Sequence, residues 1–186
     1  EKLKKNKYFL FSIHREENVE SKRNFSELLE SIDAIAVQYK MPIIISTHPR
    51  TKDKLKEISH KNRKNLIRFS KPYGFHEYNK LQINAFCVLS DSGTITEEAS
   101  ILGLPAVTIR QAHERPEGMD ETTVIMSDLT KTKVLNSIKL ATNKKSISNR
   151  IKIVSDYDVD NVSTKVVRII YSYTDYVKRT VWKVYN

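Results

Sequence analysis

Four polar clusters carry most of the chemistry this sequence could perform. They are Ser12-Ile13-His14-Arg15-Glu16-Glu17-Asn18, Ser46-Thr47-His48-Pro49-Arg50, Ser90-Asp91-Ser92-Gly93-Thr94, and His113-Glu114-Arg115-Pro116-Glu117-Gly118-Met119-Asp120. Ser92-Gly93-Thr94 opens a helical segment and suits an anion, because glycine lets the backbone approach closely while hydroxyls and N–H groups face a phosphate. The same three residues equally suit a plain helix N-cap. Glu98 lies one turn further on, where a carboxylate accepts hydrogen bonds from ribose hydroxyls. Arg115 brings a charge able to neutralise a diphosphate.

Other chemistries fit poorly. Asp91-Ser92-Gly93 is not the G-x-S-x-G elbow of a serine hydrolase. Neither a P-loop nor a G-x-G-x-x-G fingerprint occurs. The five histidines lack H-E-x-x-H or other close ligand spacing, so no metal is expected. Asp156, Asp158 and Asp160 alternate like a calcium loop, but Asn161 replaces its glycine and Val167 its final glutamate. A helix entry capped by Asp160 or Asn161 accounts for them better. No cofactor is called for.

The elements that must position these clusters follow from periodicity. Tyr8–Ile13, Ile43–Ser46, Leu66–Phe69, Phe86–Ser90 and Ala106–Ile109 read as buried strands, with Thr123–Met126 as a sixth. Helical segments lie between them: the stripe Phe25, Leu28, Leu29, Ile32, Ile35, Ala36 and Tyr39, then Asp53–His60, Glu77–Asn84, Thr94–Leu102 and Lys131–Thr142. Strands alternating with helices predict an α/β fold, a Rossmann-like parallel sheet with helices on both faces. In such a sheet ligands bind at the carboxyl ends of the strands, where all four clusters fall.

The 186 residues contain no Gly/Ser-rich linker and read as one domain. A final helix over about 161–185 carries Val162, Val166, Ile169, Ile170, Tyr173, Val177 and Val181 along one side, a stripe that reads equally as a core helix or as one that docks on something else. The charged opening leads straight into a strand, as expected of a chain cut at an interdomain boundary. One cysteine, Cys87, excludes an internal disulfide, and the apolar runs fall far short of a membrane span. A cytoplasmic protein with no membrane partner is expected. The net charge is +10, and from Thr130 onward basic residues outnumber acidic ones by 12 to 4. These lie on amphipathic helices, so a solvated face explains them better than a nucleic-acid surface.

The motifs together, HREEN at 14–18, THP at 47–49, DSG with EEAS at 91–100, LGLP at 102–105 and ERPEGMDE at 114–121, resemble the non-hydrolysing UDP-N-acetylglucosamine 2-epimerases. The ERPEGMDE form is most similar to the capsule and O-antigen branch that makes UDP-N-acetyl-L-fucosamine. The resemblance implies one half of a GT-B-type enzyme of two Rossmann-like domains. Residues 1–186 would be the C-terminal, nucleotide-binding domain, and the last helix would pack on an N-terminal domain. It also implies anti-elimination of UDP and its re-addition, with a UDP-sugar as partner and cell-surface polysaccharide precursors as the purpose. A homodimer is compatible with the full-length enzyme, and the fragment alone would be inactive.

By the same resemblance His14 is catalytic, steadying the departing UDP. Ser92 and Gly93 bind the diphosphate, Glu98 the ribose, Arg115 a phosphate, and Tyr78 lies beside the uracil. Arg15 and His48 match positions linked to a second, activating UDP-sugar. Two departures stand out: DSGT replaces the usual DSGG, placing Thr94 where a glycine is common, and Glu16 reverses a charge in His-Arg-Glu-Glu. The donor-binding half of a GT-B glycosyltransferase is the alternative, followed by a basic nucleic-acid-binding module.

Overall fold

The computed structural model describes residues 3–47, 66–110, 115–143 and 152–185. In chain order they form β1 (Phe9–Ile13), α1 (Glu16–Val19), α2 (Lys22–Tyr39), β2 (Ile43–Thr47), β3 (Ile67–Ser70), α3 (Phe75–Asn84) and β4 (Cys87–Ser90). There follow α4 (Ile95–Leu102), β5 (Ala106–Ile109), α5 (Pro116–Asp120), β6 (Ile125–Ser127), α6 (Lys131–Ala141) and α7 (Val162–Thr180). A 3-10 turn at Ser155–Tyr157 precedes α7. The chain divides into two units, Glu1–Val154 and Ser155–Asn186.

The first unit is built on one parallel sheet of six strands in the order β3-β2-β1-β4-β5-β6. Every residue of β4 and β5 is buried, as their uninterrupted runs of apolar and small residues require of strands covered on both faces. Alternation along the strands divides the core in two. Phe9, Phe11, Ile43, Ile45, Leu89 and Val107 face Leu28, Ile32 and Ile35 of α2 and Val134 and Ile138 of α6. Tyr8, Leu10, Ile44, Val88 and Ala106 share the opposite core with Ile95 and Ala99 of α4. The expected α/β architecture is the observed one. Between β1 and β4 the strand order reverses, so the long helices that follow them, α2 and α4, lie on opposite faces, the place at which open α/β sheets take their ligands.

The predicted strands and helices of this unit that fall among the described residues form within three residues of their expected ends. Asp53–His60 lies outside those residues. Two short helices, α1 and α5, occur where the sequence shows only polar clusters. Pro116 begins α5, its fixed φ and missing N–H suiting that position. Gly103 ends α4 in the left-handed conformation, φ 63°, and Leu104 N–H returns to the Ala99 carbonyl, with Pro105 next.

The second unit corrects the expected helix over 161–185. It stops at Thr180, because Lys183 turns left-handed (φ 56°) and Val184 N–H bonds back to the Lys178 carbonyl. Asn161 holds the N-cap position, but its side chain makes no capping hydrogen bond. No residue of α7 is buried. Among the described residues no helix is long and apolar enough to cross a membrane.

Gly118 is needed for packing rather than for a turn. A Cβ there would lie 2.0 Å from Thr96 Cγ2, so α5 approaches α4 as closely as it does only without a side chain. Gly118→Ala should therefore destabilise the fold by about 1–3 kcal/mol through overpacking. Urea melts check this, and Thr96→Ser, which removes the clashing methyl, should recover most of the loss.

Candidate functional site

The carboxyl edge of the sheet is organised around Asp91, the residue just past β4. Its side chain is 1% exposed. Both carboxylate oxygens accept from His14 N–H at 3.2 Å; Oδ2 also accepts from Arg15 N–H at 3.0 Å and Asn18 Nδ2 at 3.2 Å. These bonds fasten the β1–α1 turn to the end of β4, which is why a four-residue helix forms there. His14 Nδ1 lies 3.1 Å from Asp91 Oδ1, an arrangement that commits Nδ1–H to the carboxylate and leaves Nε2 for another partner.

The electrostatics of the two groups are linked. Burial pushes the Asp91 carboxyl up, but the bonds from His14, the Arg15 backbone and Asn18 outweigh it and hold Asp91 below the ordinary value. His14 is raised, chiefly by its hydrogen bond to Asp91; burial and the charges of Arg15 and Arg110 pull the other way. Arg110 immediately follows β5 and is 7% exposed, so its charge is held inside this edge.

Beyond Asp91 the chain turns tightly into α4. Ser92 N–H bonds to Ser90 Oγ at 3.0 Å, and the Ser92 and Thr94 hydroxyls lie 3.0 Å apart. Thr94 occupies the N-cap position without a side-chain cap bond of its own, and Ser92 Oγ accepts from the Thr94 N–H at 3.3 Å, so this turn also caps the start of α4. The Thr94 hydroxyl donates to Glu98 Oε1 at 2.9 Å, while Gln82 Nε2 of α3 donates to Oε2 at 2.5 Å. Thr94 has φ −68°, a conformation that does not require glycine.

Tyr78 lies one turn before Gln82 on the same side of α3. Burial first, then the charges of Glu98 and Asp91, push its phenol up to about 12, against a hydrogen bond with Ser12 that lowers it. Glu97 points elsewhere, receiving Arg115 Nε at 2.6 Å. The two consecutive carboxylates of α4 thus have separate duties.

Of the predicted residues, His14, Arg15, Tyr78, Ser92, Gly93 and Glu98 gather at this edge, and Arg115 is tied to it through Glu97. Arg15 contributes its backbone to Asp91 and its guanidinium to Glu17 at 3.2 Å. His48 lies outside the described residues. Asp91, Gln82 and Arg110 were missing from the predicted site. A signal existed for two of them, since each is a charged residue directly following an apolar strand. Gln82 gives none: a glutamine on a mixed helix reads as surface. Together the groups offer hydroxyls and a glycine for an anion, a carboxylate acceptor, and an imidazole whose second nitrogen can meet developing negative charge.

Residues 1–171 match the family model described as UDP-N-acetylglucosamine 2-epimerase. The chain is 38% identical over 143 residues to the UDP-N-acetylglucosamine 2-epimerase of Methanocaldococcus jannaschii, covering 74% of this chain and 38% of that protein. It is similar to the solved UDP-N-acetylglucosamine 2-epimerase of Rickettsia bellii, with 47% identity, a TM-score of 0.84, and coverage of 98% of this chain and 48% of that one. The M. jannaschii enzyme in complex with UDP-GlcNAc and UDP is similar at 33% identity and TM-score 0.78, over 89% of this chain and 45% of that one. The chain thus spans less than half the length of these relatives.

Proposed function

This chain belongs to the UDP-N-acetylglucosamine 2-epimerase family, and from that premise we propose that it supplies the UDP-binding half of a UDP-N-acetylhexosamine 2-epimerase. The observation that carries the proposal is the joining of His14 to the Asp91-Ser92-Gly93-Thr94 turn at the strand-order reversal. Ser92 and Gly93 take the diphosphate, Arg115 adds a guanidinium to it, Glu98 holds the ribose and Tyr78 lies beside the uracil. Arg15 and His48 belong to a second nucleotide position.

In the forward step a base takes the C2 proton, the electron pair forms the C1–C2 double bond, and the C1–O bond breaks to release UDP. The 2-acetamidoglycal is then protonated at C2 on the other face and UDP adds back at C1. His14 acts on the leaving diphosphate. Asp91 raises its basicity and so its imidazolium share, and Nε2 is the nitrogen available to the departing oxygen. The groups that move the C2 proton are assigned to the other half of the enzyme. The stripe Val162, Val166, Ile169, Ile170 and Tyr173 of α7 is assigned to covering that half.

UDP should bind the chain more tightly than UMP, because Ser92, Gly93 and Arg115 address the second phosphate. Calorimetry showing equal affinity would remove the diphosphate from the site. Arg115→Lys should weaken UDP by about 1–3 kcal/mol, since lysine offers a point charge where arginine offers a planar fork. An unchanged dissociation constant would mean that Arg115 does not reach the diphosphate.

A further inference from the structure

Glu98 is held by two neutral donors, Thr94 Oγ1 on Oε1 and Gln82 Nε2 on Oε2. A neutral donor fixes a carboxylate without cancelling its charge, and a carboxylate oxygen has room for a second bond. Both oxygens of Glu98 therefore stay available, side by side, to accept from two neighbouring hydroxyls.

The directions of the protons follow from the same contacts. Thr94 spends its only hydroxyl proton on Glu98, so in the 3.0 Å contact between hydroxyls Ser92 is the donor, a neutral bond that Ser92 can exchange for a stronger one to a phosphate oxygen while Thr94 stays on Glu98. Thr94 N–H in turn donates to Ser92 Oγ at 3.3 Å. A chain of hydrogen bonds thus runs from Ser92 through Thr94 to Glu98 and is closed from the other side by Gln82.

Gln82 shows what this arrangement demands. It is 1% exposed, and its Oε1 is buried with no hydrogen-bond partner among the described residues. Turning the amide over would aim that carbonyl at the Glu98 carboxylate, so the amide is fixed with its donor toward Glu98. A buried acceptor left unmatched is unfavourable for folding, and a native structure that keeps one calls for a reason. Holding Glu98 supplies it.

Resting on the nucleotide reading above, we infer that Gln82 and Thr94 are positioning residues that make Glu98 a fixed two-oxygen acceptor for the vicinal diol of a ribonucleotide. Through them the site selects ribose over 2′-deoxyribose. A 2′-deoxynucleotide leaves one charged oxygen without its donor, and a carboxylate that cannot swing away cannot make good the loss.

Calorimetry of UDP and 2′-deoxy-UDP on the 186-residue chain tests this. The unaltered chain should prefer UDP by about tenfold or more, as expected for one hydrogen bond to a charged group. Thr94→Val and Gln82→Met should reduce that preference to about threefold or less, by weakening UDP while 2′-deoxy-UDP stays within about twofold. Thr94→Ser, which keeps the hydroxyl, should retain it. Folded variants that keep the full preference overturn the inference, as does an unaltered chain that binds both nucleotides equally. An unaltered chain that binds neither overturns the nucleotide reading itself. If Gln82→Met fails to fold, the exposed Thr94→Val decides alone.

Discussion

Asp91→Asn should lose at least about 1.5–3 kcal/mol of folding stability, the range for a single hydrogen bond to a charged group. The side chain accepts on both oxygens, from two backbone N–H groups, Asn18 and His14. An asparagine amide therefore turns an NH2 toward donors whichever way it is rotated. Such a loss is a large part of the total stability of a domain this size. Urea melts measure it, and a change below about 1 kcal/mol would mean that the turn holds without Asp91.

The same variant should change the pH profile. The folded Asp91 value lies below the unfolded carboxyl value of about 3.9. Its contribution is thus present above that pH and lost as pH falls through the folded value. His14 moves the opposite way: its contribution is full below about 6.5 and disappears as pH rises through the folded value. Stability from this pair should be greatest between about pH 4 and 6.5, and both flanks should flatten in Asp91→Asn.

The sheet was largely legible in the sequence because its signal is local. Runs such as Phe9–Ile13 and Ala106–Ile109 cannot be satisfied except by burial, and the spacing in Lys22–Tyr39 repeats every turn. The short helix Glu16–Val19 was not legible, since Asp91, far away in sequence, anchors its first turn. Gln82 was hidden for a related reason: only the approach of α3 to Glu98 of α4 gives a solvated-looking amide a buried partner. Asp91 was visible as part of a motif, but not as the residue on which His14 depends. The end of α7 was missed because apolar Val181 continues the stripe while the left-handed turn at Lys183 sits beyond it.

The residues 1–186 alone should show no epimerisation, and His14→Ala in the assembled enzyme should lower kcat by about 10²–10⁴-fold. Both expectations rest on the proposed division of labour. The assembled enzyme is made by co-expressing this chain with the N-terminal half of a family member. Without that half, neither the C2 base nor the opposite wall that holds the sugar in line is present. In the proposed role His14 meets the charge that develops on the departing diphosphate, so its removal should reduce kcat far more than UDP affinity. Deuterium uptake at C2 of the UDP-sugar in heavy water is the readout. Robust exchange by the chain alone would place the base in this half. Equal losses in kcat and in UDP affinity would make His14 a binding group only.

The contact between His14 and Asp91 joins residues 77 positions apart. Strand β1 is also flanked by β2 and β4, neither of which it can pair with until the intervening chain has folded back. Closing a loop that long is an entropic debt met only when the central sheet forms, which puts the site late in folding. A partly folded chain then lacks the contact that joins His14 to the Asp91 turn. Whatever binds across that contact recognises the completed sheet, and its binding free energy adds to the stability of the whole first unit rather than to a single loop.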